Sequence, residues 1–223
     1  MKPRELVAVA EVPGGPPLRL IRHAGDHIIM LERNELMSSR MSGSEAALAT
    51  MACERLAGRP APHLLIGGYG MGFTLRAALG ALGADARLTV AELVPDIIDW
   101  ARGPMADLTA GCLDDPRVAL RIEDVAATIA AARGVYDAIL LDVDNGPDGL
   151  TRPGNDGLYG PRGLAAARAA LRPEGILAIW SAAPDAAYTR RLASAGFEVE
   201  AVKLRARANG KGPLHMIWFA RKR

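Results

Sequence analysis

The chain has 223 residues, 50% of them hydrophobic, which suits one full core with a modest appendage and excludes a disordered polypeptide. Its formal net charge is only +2, aromatic residues make up 4%, and the loose basic cluster from Lys203 to Arg223 reads as solvated strand and tail residues. With neither a basic field nor stacking platforms, no nucleic-acid partner is expected.

From the N-terminus, Met1-Lys2-Pro3-Arg4-Glu5 lacks the apolar stretch of a targeting peptide and no later apolar run is long enough to cross a bilayer, so the expected setting is cytoplasmic, without a membrane partner. Residues Leu18 to Leu31 alternate around the turn signal Ala24-Gly25-Asp26 and predict a β-hairpin, in a small N-terminal β region over residues 1–40. His23 and His27 flank that turn, but no further ligand-type residue stands at metal spacing, so no metal is expected. The remainder, residues 41–223, reads as a single main domain. It opens with a helix from Ser42 or Ser44 to Leu56, with Ala46, Ala47, Leu48, Met51 and Ala52 on helical spacing and Gly58 ending it.

The next stretch is the most informative. His63-Leu64-Leu65-Ile66-Gly67-Gly68-Tyr69-Gly70-Met71-Gly72 runs from strand into glycines and then into a helix predicted over 73–82. Glu92 closes the following strand, 87–92. Glycines between a strand and a helix leave backbone N–H groups facing a ligand, and an acid at the next strand end can accept both ribose hydroxyls. Phe73 stands where a dinucleotide fingerprint needs its third glycine, so the spacing Gly68-x-Gly70-x-Gly72 points away from a pyrophosphate. It resembles instead the first motif of S-adenosylmethionine-dependent transferases. Helix 95–103, strand 118–122, helix 124–132 and strand 138–142 follow. Then come a Gly/Pro-rich loop from Asn145 to Gly160, helix 161–171, strand 176–181, helix 185–195 and strands 198–206 and 214–220. Strands alternating with helices predict an α/β fold with a mostly parallel sheet, and the short final connection makes the last two strands an antiparallel hairpin. Cys53 and Cys112, both in apolar settings, read as reduced thiols.

In order and spacing, Leu64-Leu65-Ile66-Gly67-Gly68, Val90-Ala91-Glu92-Leu93, Asp115-Pro116-Arg117-Val118, Asp124, Tyr136 to Asp142, Leu158-Tyr159 and Leu171-Arg172-Pro173-Glu174-Gly175 resemble the spermidine synthase family. That family is a branch of the Rossmann-like, seven-stranded class I methyltransferase fold. The resemblance implies that Gly67, Gly68, Gly70, Gly72, Glu92 and Asp124 bind the cofactor, with Glu92 on the ribose and Asp124 facing the adenine amino group. It also puts Asp142 beside the reacting centre and makes the N-terminal β region a homodimer contact. Asp124 reads equally well as a helix cap.

Departures from the family pattern shape the expected chemistry. Aminopropyltransferases of this family carry Gly-Gly-Gly-Asp-Gly, whose aspartate meets the ammonium of decarboxylated S-adenosylmethionine; here that position is Gly70. An acid there would repel the carboxylate of the intact cofactor, so its loss shifts the expectation to S-adenosylmethionine itself. The acceptor segment is Asp142-Val143-Asp144-Asn145-Gly146-Pro147, and Glu45 overlays the acid of the family's Tyr-Gln-Glu-Met stretch. The leading expectation is therefore a methyltransferase acting on a small, amine-bearing acceptor. Asp142 and Asn145 would be catalytic, while Asp144, Glu45, Tyr159 and Trp180 would bind the acceptor. The alternatives are a divergent polyamine aminopropyltransferase using decarboxylated S-adenosylmethionine, and a noncatalytic nucleoside-binding or assembly protein.

Overall fold

Apolar residues in the N-terminal region build more sheet than the predicted hairpin. The computed structural model, which describes residues 3–143, 146 and 155–223, has four antiparallel strands there: β1 (Glu5–Ala10), β2 (Leu18–His23), β3 (Asp26–Leu31) and β4 (Asn34–Ser38). The expected hairpin is β2–β3, in register from Leu18↔Leu31 to His23↔Asp26. The flanking strands escaped the sequence pattern because β1, Glu-Leu-Val-Ala-Val-Ala, does not alternate polar with apolar. It lies at the edge of its sheet, with Leu6 and Val9 exposed.

The main sheet has the order β10-β11-β9-β8-β5-β6-β7. Its strands are β5 (His63–Gly67), β6 (Arg87–Glu92), β7 (Val118–Ile122), β8 (Tyr136–Leu141), β9 (Leu171–Ser181), β10 (Phe197–Arg205) and β11 (Leu214–Lys222). Strands β5 to β9 run parallel, β11 pairs antiparallel with β10, as predicted, and β11 also pairs antiparallel with β9. The helices are α1 (Gly43–Arg55), α2 (Phe73–Ala81), α3 (Pro95–Arg102), α4 (Ala106–Thr109), α5 (Val125–Ala131), α6 (Asn155–Tyr159), α7 (Pro161–Ala170) and α8 (Ala186–Ser194). Short α4 and α6 carry too little helical period to be read from sequence. Strand β9 starts earlier than predicted because Leu171 pairs with Tyr136. The chain then breaks register, with Glu174 at φ 59°, and pairing resumes at Ala138↔Ile176.

Both faces of the sheet are covered, so alternate residues of one strand enter different cores. Leu64, Ile66, Ala138, Leu140, Ala178 and Trp180 face α1, α2 and the N-terminal sheet, whereas Leu65, Ile139, Leu141 and Ile179 face α5, α7 and α8. Two of the recognisable sequence landmarks serve this packing. Arg117 is held by Asp115 and donates Nη1 hydrogen bonds to the carbonyls of Leu79, Leu82 and Gly83, satisfying the C-terminal end of α2. Asp137, nearly fully buried, accepts from Arg59 Nη1, Arg172 Nη1 and the His63 N–H at 2.8–2.9 Å, which ties β8 to β5 and β9 at their N-terminal ends.

Candidate active site

Connections from β5 lead first to β6 and β7 on one side and then to β8 on the other, so the sheet's topological switch point lies between β5 and β8. Open α/β sheets bind ligands beyond the carboxyl ends of the strands at such a point. A cavity of about 170 Å³ opens there. Its floor comes from successive strand ends: Gly68 and Gly70 after β5, Glu92 and Leu93 at β6, Asp124 after β7, Asp142 after β8 and Trp180 in β9. Glu45 enters from the first turn of α1. Val12, Leu18, Ile29, Leu36 and Met37 of the N-terminal region form an apolar wall, a contribution that sequence reading missed.

The glycine turn divides into cavity-lining and supporting positions. Gly68 has φ +82°, and a Cβ there would lie 2.6 Å from the Asp142 carbonyl oxygen, so the close approach of the two strand ends requires glycine. Its N–H donates to Ala91 O at 2.9 Å, while the Asp142 N–H donates to Gly67 O at 3.0 Å, carrying the sheet pairing into the site. Gly70 faces Met37. Gly67 and Gly72, expected to bind the cofactor, do not line the cavity. Gly67 ends β5 against Val125 and Leu141, and Gly72 caps α2 in the left-handed conformation beside the Tyr69 hydroxyl.

Four acids line the cavity. Glu92 is 5% exposed; its Oε2 accepts the Tyr69 N–H at 2.8 Å and its Oε1 the Val94 N–H at 2.9 Å. Burial still pushes its pKa upward, against the pull of those backbone donors. Asp124 caps α5, accepting the Ala126 N–H at 2.8 Å, and also borders the cavity, so both readings of this residue describe its position. Asp142 and Glu45 form an interacting pair. Burial raises Asp142 to about 6, opposed by a 2.6 Å hydrogen bond that Thr74 Oγ1 donates to its Oδ2. Burial and the Asp142 charge raise Glu45 to about 8, opposed by the hydroxyl of Ser44, which donates to Oε2 at 2.6 Å. The two carboxyls therefore titrate as a unit, and near neutral pH the pair shares about one proton. Thr74 escaped sequence reading because it sits unremarkably in the first turn of a helix, and Ser44 was read only as a possible helix start.

Trp180 lines the cavity as expected, its ring edge-on to His215 with centroids 4.8 Å apart, and its indole N–H is buried without a partner among the described residues. Tyr159 does not line it. The ring lies in the opposite core, edge-on to Tyr188, and its hydroxyl donates to Val143 O at 3.2 Å, supporting the β8 end from behind. Asp144 and Asn145 lie outside the described residues. Among the described residues no helix is long and apolar enough to cross a membrane, and no cluster of metal-type ligands occurs.

Sheet order, glycine turn and acids at successive strand ends together define a Rossmann-like fold of the seven-stranded methyltransferase type. Comparison with known proteins narrows the likeness to the spermidine synthases. No family model matches the chain. It is 32% identical over 127 residues to the polyamine aminopropyltransferase of Mycobacterium tuberculosis, covering 56% of this chain and 23% of that protein. To polyamine aminopropyltransferase 2 of Pseudomonas aeruginosa it is 31% identical over 124 residues, covering 54% of this chain and 33% of that protein. These matches span about a quarter to a third of the curated relatives' length. In fold, the chain is similar to a spermidine synthase in complex with the transition-state analogue AdoDATO, with TM-score 0.76 and 19% identity over 98% of this chain and 72% of that one. The spermidine synthase of Thermotoga maritima gives TM-score 0.76 at 18% identity with the same coverage.

These relatives overturn the methyltransferase expectation and favour its aminopropyltransferase alternative. The physical error lay in treating a lost repulsion as an attraction. Gly70 lacks an acid, but its neighbour is the Met37 thioether, not a cation, and the ionisable residues lining the cavity among those described are all acids: Glu45, Glu92, Asp124 and Asp142. Such a lining offers nothing to pair the carboxylate of intact S-adenosylmethionine.

Proposed function

We propose that the protein is an aminopropyltransferase that moves the aminopropyl group of decarboxylated S-adenosylmethionine onto a small amine. The observation that carries this reading is the wholly acidic ionisable lining of the described cavity, with Asp142 and Glu45 interacting as a pair within it. Both reactants are cations, and an acidic, partly desolvated cleft favours both. The sequence likeness to named polyamine aminopropyltransferases supports the same chemistry.

Glu92 would take the ribose hydroxyls. The Tyr69 and Val94 N–H groups hold its two oxygens in place, with the Gly70 and Leu93 N–H groups also acting on the carboxylate, so its orientation toward the cavity is fixed. The acceptor enters as an ammonium and must lose a proton before its nitrogen has a lone pair. Ionised Asp142 takes that proton, fixed in orientation by Thr74. The freed nitrogen then attacks the methylene carbon bonded to sulfur, the carbon–sulfur bond breaks with its electron pair remaining on sulfur, and methylthioadenosine leaves. Alignment of nitrogen, carbon and sulfur supplies much of the acceleration. The apolar wall from the N-terminal sheet excludes water from the sulfonium.

Replacing Asp142 by Asn tests the assignment. Methylthioadenosine release from decarboxylated cofactor and an amine should fall by about a hundredfold or more with nucleoside affinity little changed. Unchanged turnover would remove Asp142 from the base role.

A further inference from the structure

A buried chain of three side chains, Glu45, Ser44 and His215, leads away from the cavity lining, and the transfer step above uses none of them. Ser44 has no exposed surface, and its Oγ lies 2.6 Å from Glu45 Oε2 and 2.8 Å from His215 Nδ1. The arrangement is held from two sides. The N–H groups of Gly43 and Ser44 both donate to Ala206 O, at 2.8 and 3.3 Å, pinning the start of α1 to the loop after β10. His215 stands on β11 opposite Leu204, with Trp180 edge-on to its ring. We infer that Glu45, Ser44 and His215 form a proton relay that carries the acceptor amine's proton out of the cavity toward the C-terminal hairpin.

A hydroxyl has one proton, so Ser44 donates to only one of its two neighbours and accepts from the other. Ser44 donates to Glu45 Oε2 when Glu45 is ionised; with Glu45 protonated, the Glu45 O–H donates to Ser44 Oγ and the Ser44 O–H turns to donate to His215 Nδ1. In the relay step the Glu45 O–H bond breaks as a new Oγ–H bond forms, and the original Oγ–H bond breaks as Nδ1–H forms. The products are a carboxylate, a regenerated hydroxyl and an imidazolium, with no change of oxidation state. The imidazolium then loses a proton from Nε2 to water; His215 keeps 8% of its surface exposed where Ser44 keeps none. In a catalytic cycle Asp142 takes the ammonium proton while Glu45 sends its own proton along the chain. The proton on Asp142 then passes to Glu45, the Ser44 hydroxyl turns back toward His215, and the ring exchanges its Nδ1 proton for one at Nε2 through water, so one proton leaves per transfer and the starting state is restored.

Among the described residues, the charge acting on Glu45 is Asp142, at the end of β8, whose carboxylate is held by Thr74 of α2. Burial alone acts on His215 and lowers its pKa, so the ring is neutral near pH 7 and free to accept, and the imidazolium is a transient.

The relay's use in turnover rests on the aminopropyl-transfer reading, but its coupling is measurable without substrate. Nitrogen NMR of the His215 ring and carbon NMR of the Glu45 carboxyl, followed through a pH titration of ligand-free protein, should show the ring responding to the Glu45 inflection. Ser44→Ala should abolish that response, and Ser44→Thr should restore it. With decarboxylated cofactor and amine, Ser44→Ala and His215→Gln should each lower kcat by about tenfold with KM changed less than about twofold, and Ser44→Thr should recover most of the loss. A response that persists in Ser44→Ala, or wild-type kcat in both folded variants, overturns the relay. Wild-type protein that transfers no aminopropyl group overturns the proposed function instead, and the titration alone then decides the relay.

Discussion

Replacing Glu45 by Gln should stabilise the protein, and by an amount that grows with pH. The side chain is 5% exposed, and its carboxyl is pushed from an ordinary 4.5 to about 8 by burial and by the Asp142 charge. Below its unfolded value the group is protonated in both states, so its contribution is fully present. Between the two values only the folded protein holds the proton, and unfolding releases it, so stability declines as pH rises through the folded value. Each unit corresponds to about 1.4 kcal/mol, so the wild type should lose on the order of 3 kcal/mol between about pH 5 and pH 7 on account of this group alone. Glutamine is neutral throughout and escapes that loss. For a domain of this size the difference amounts to roughly 6–12 °C in Tm. Denaturant and thermal unfolding of both proteins at the two pH values would measure it, with the titrating groups other than the interacting Asp142 common to both. Parallel pH dependence in wild type and variant would refute the claim that Glu45 is a buried, proton-holding acid.

The turn and cofactor wall yield three further expectations. Gly68→Ala should lower stability by about 1–3 kcal/mol in denaturant unfolding, because the new Cβ combines a left-handed backbone with a 2.6 Å approach to Asp142 O; an unchanged midpoint would contradict the close packing. Glu92→Gln should weaken methylthioadenosine binding by about tenfold or more in calorimetry, since an amide turns one acceptor oxygen facing the backbone N–H groups and the ribose into a donor, and undiminished affinity would refute the ribose assignment. Gly70→Asp, tested with Met37→Ala to clear the sulfur lying 2.9 Å from the new Cβ, should shift relative affinity toward the decarboxylated cofactor by about tenfold. An unchanged ratio would show that this position does not sense the cofactor's tail.

The parallel sheet was legible because its strands are short apolar runs separated by helices of ordinary length, and β6 and β7 fall where the pattern put them. Glu92, Asp124 and Asp142 were legible because each closes or follows such a run, and strand ends are where an open sheet binds. The wall contributed by Leu36 and Met37 was not, since β4 is a five-residue strand whose contact with the glycine turn depends on how one sheet packs on the other. Tyr159 misled because an aromatic residue in a Gly-rich segment reads as a loop side chain, whereas α6 turns it into the core. Ser44 and His215 lie far apart in sequence and meet only because the β10–β11 loop grips the start of α1. The methyltransferase expectation rested on one position, Gly70, and left out the acidic sign of the rest of the cavity lining.

The most direct measurement is a paired transfer assay on the purified protein, supplying an amine acceptor with either decarboxylated or intact S-adenosylmethionine and following the nucleoside product. The acidic cavity predicts methylthioadenosine from the decarboxylated cofactor, lost with Asp142→Asn, and no S-adenosylhomocysteine from the intact one. S-adenosylhomocysteine as the product, with the decarboxylated cofactor inert, would contradict the account.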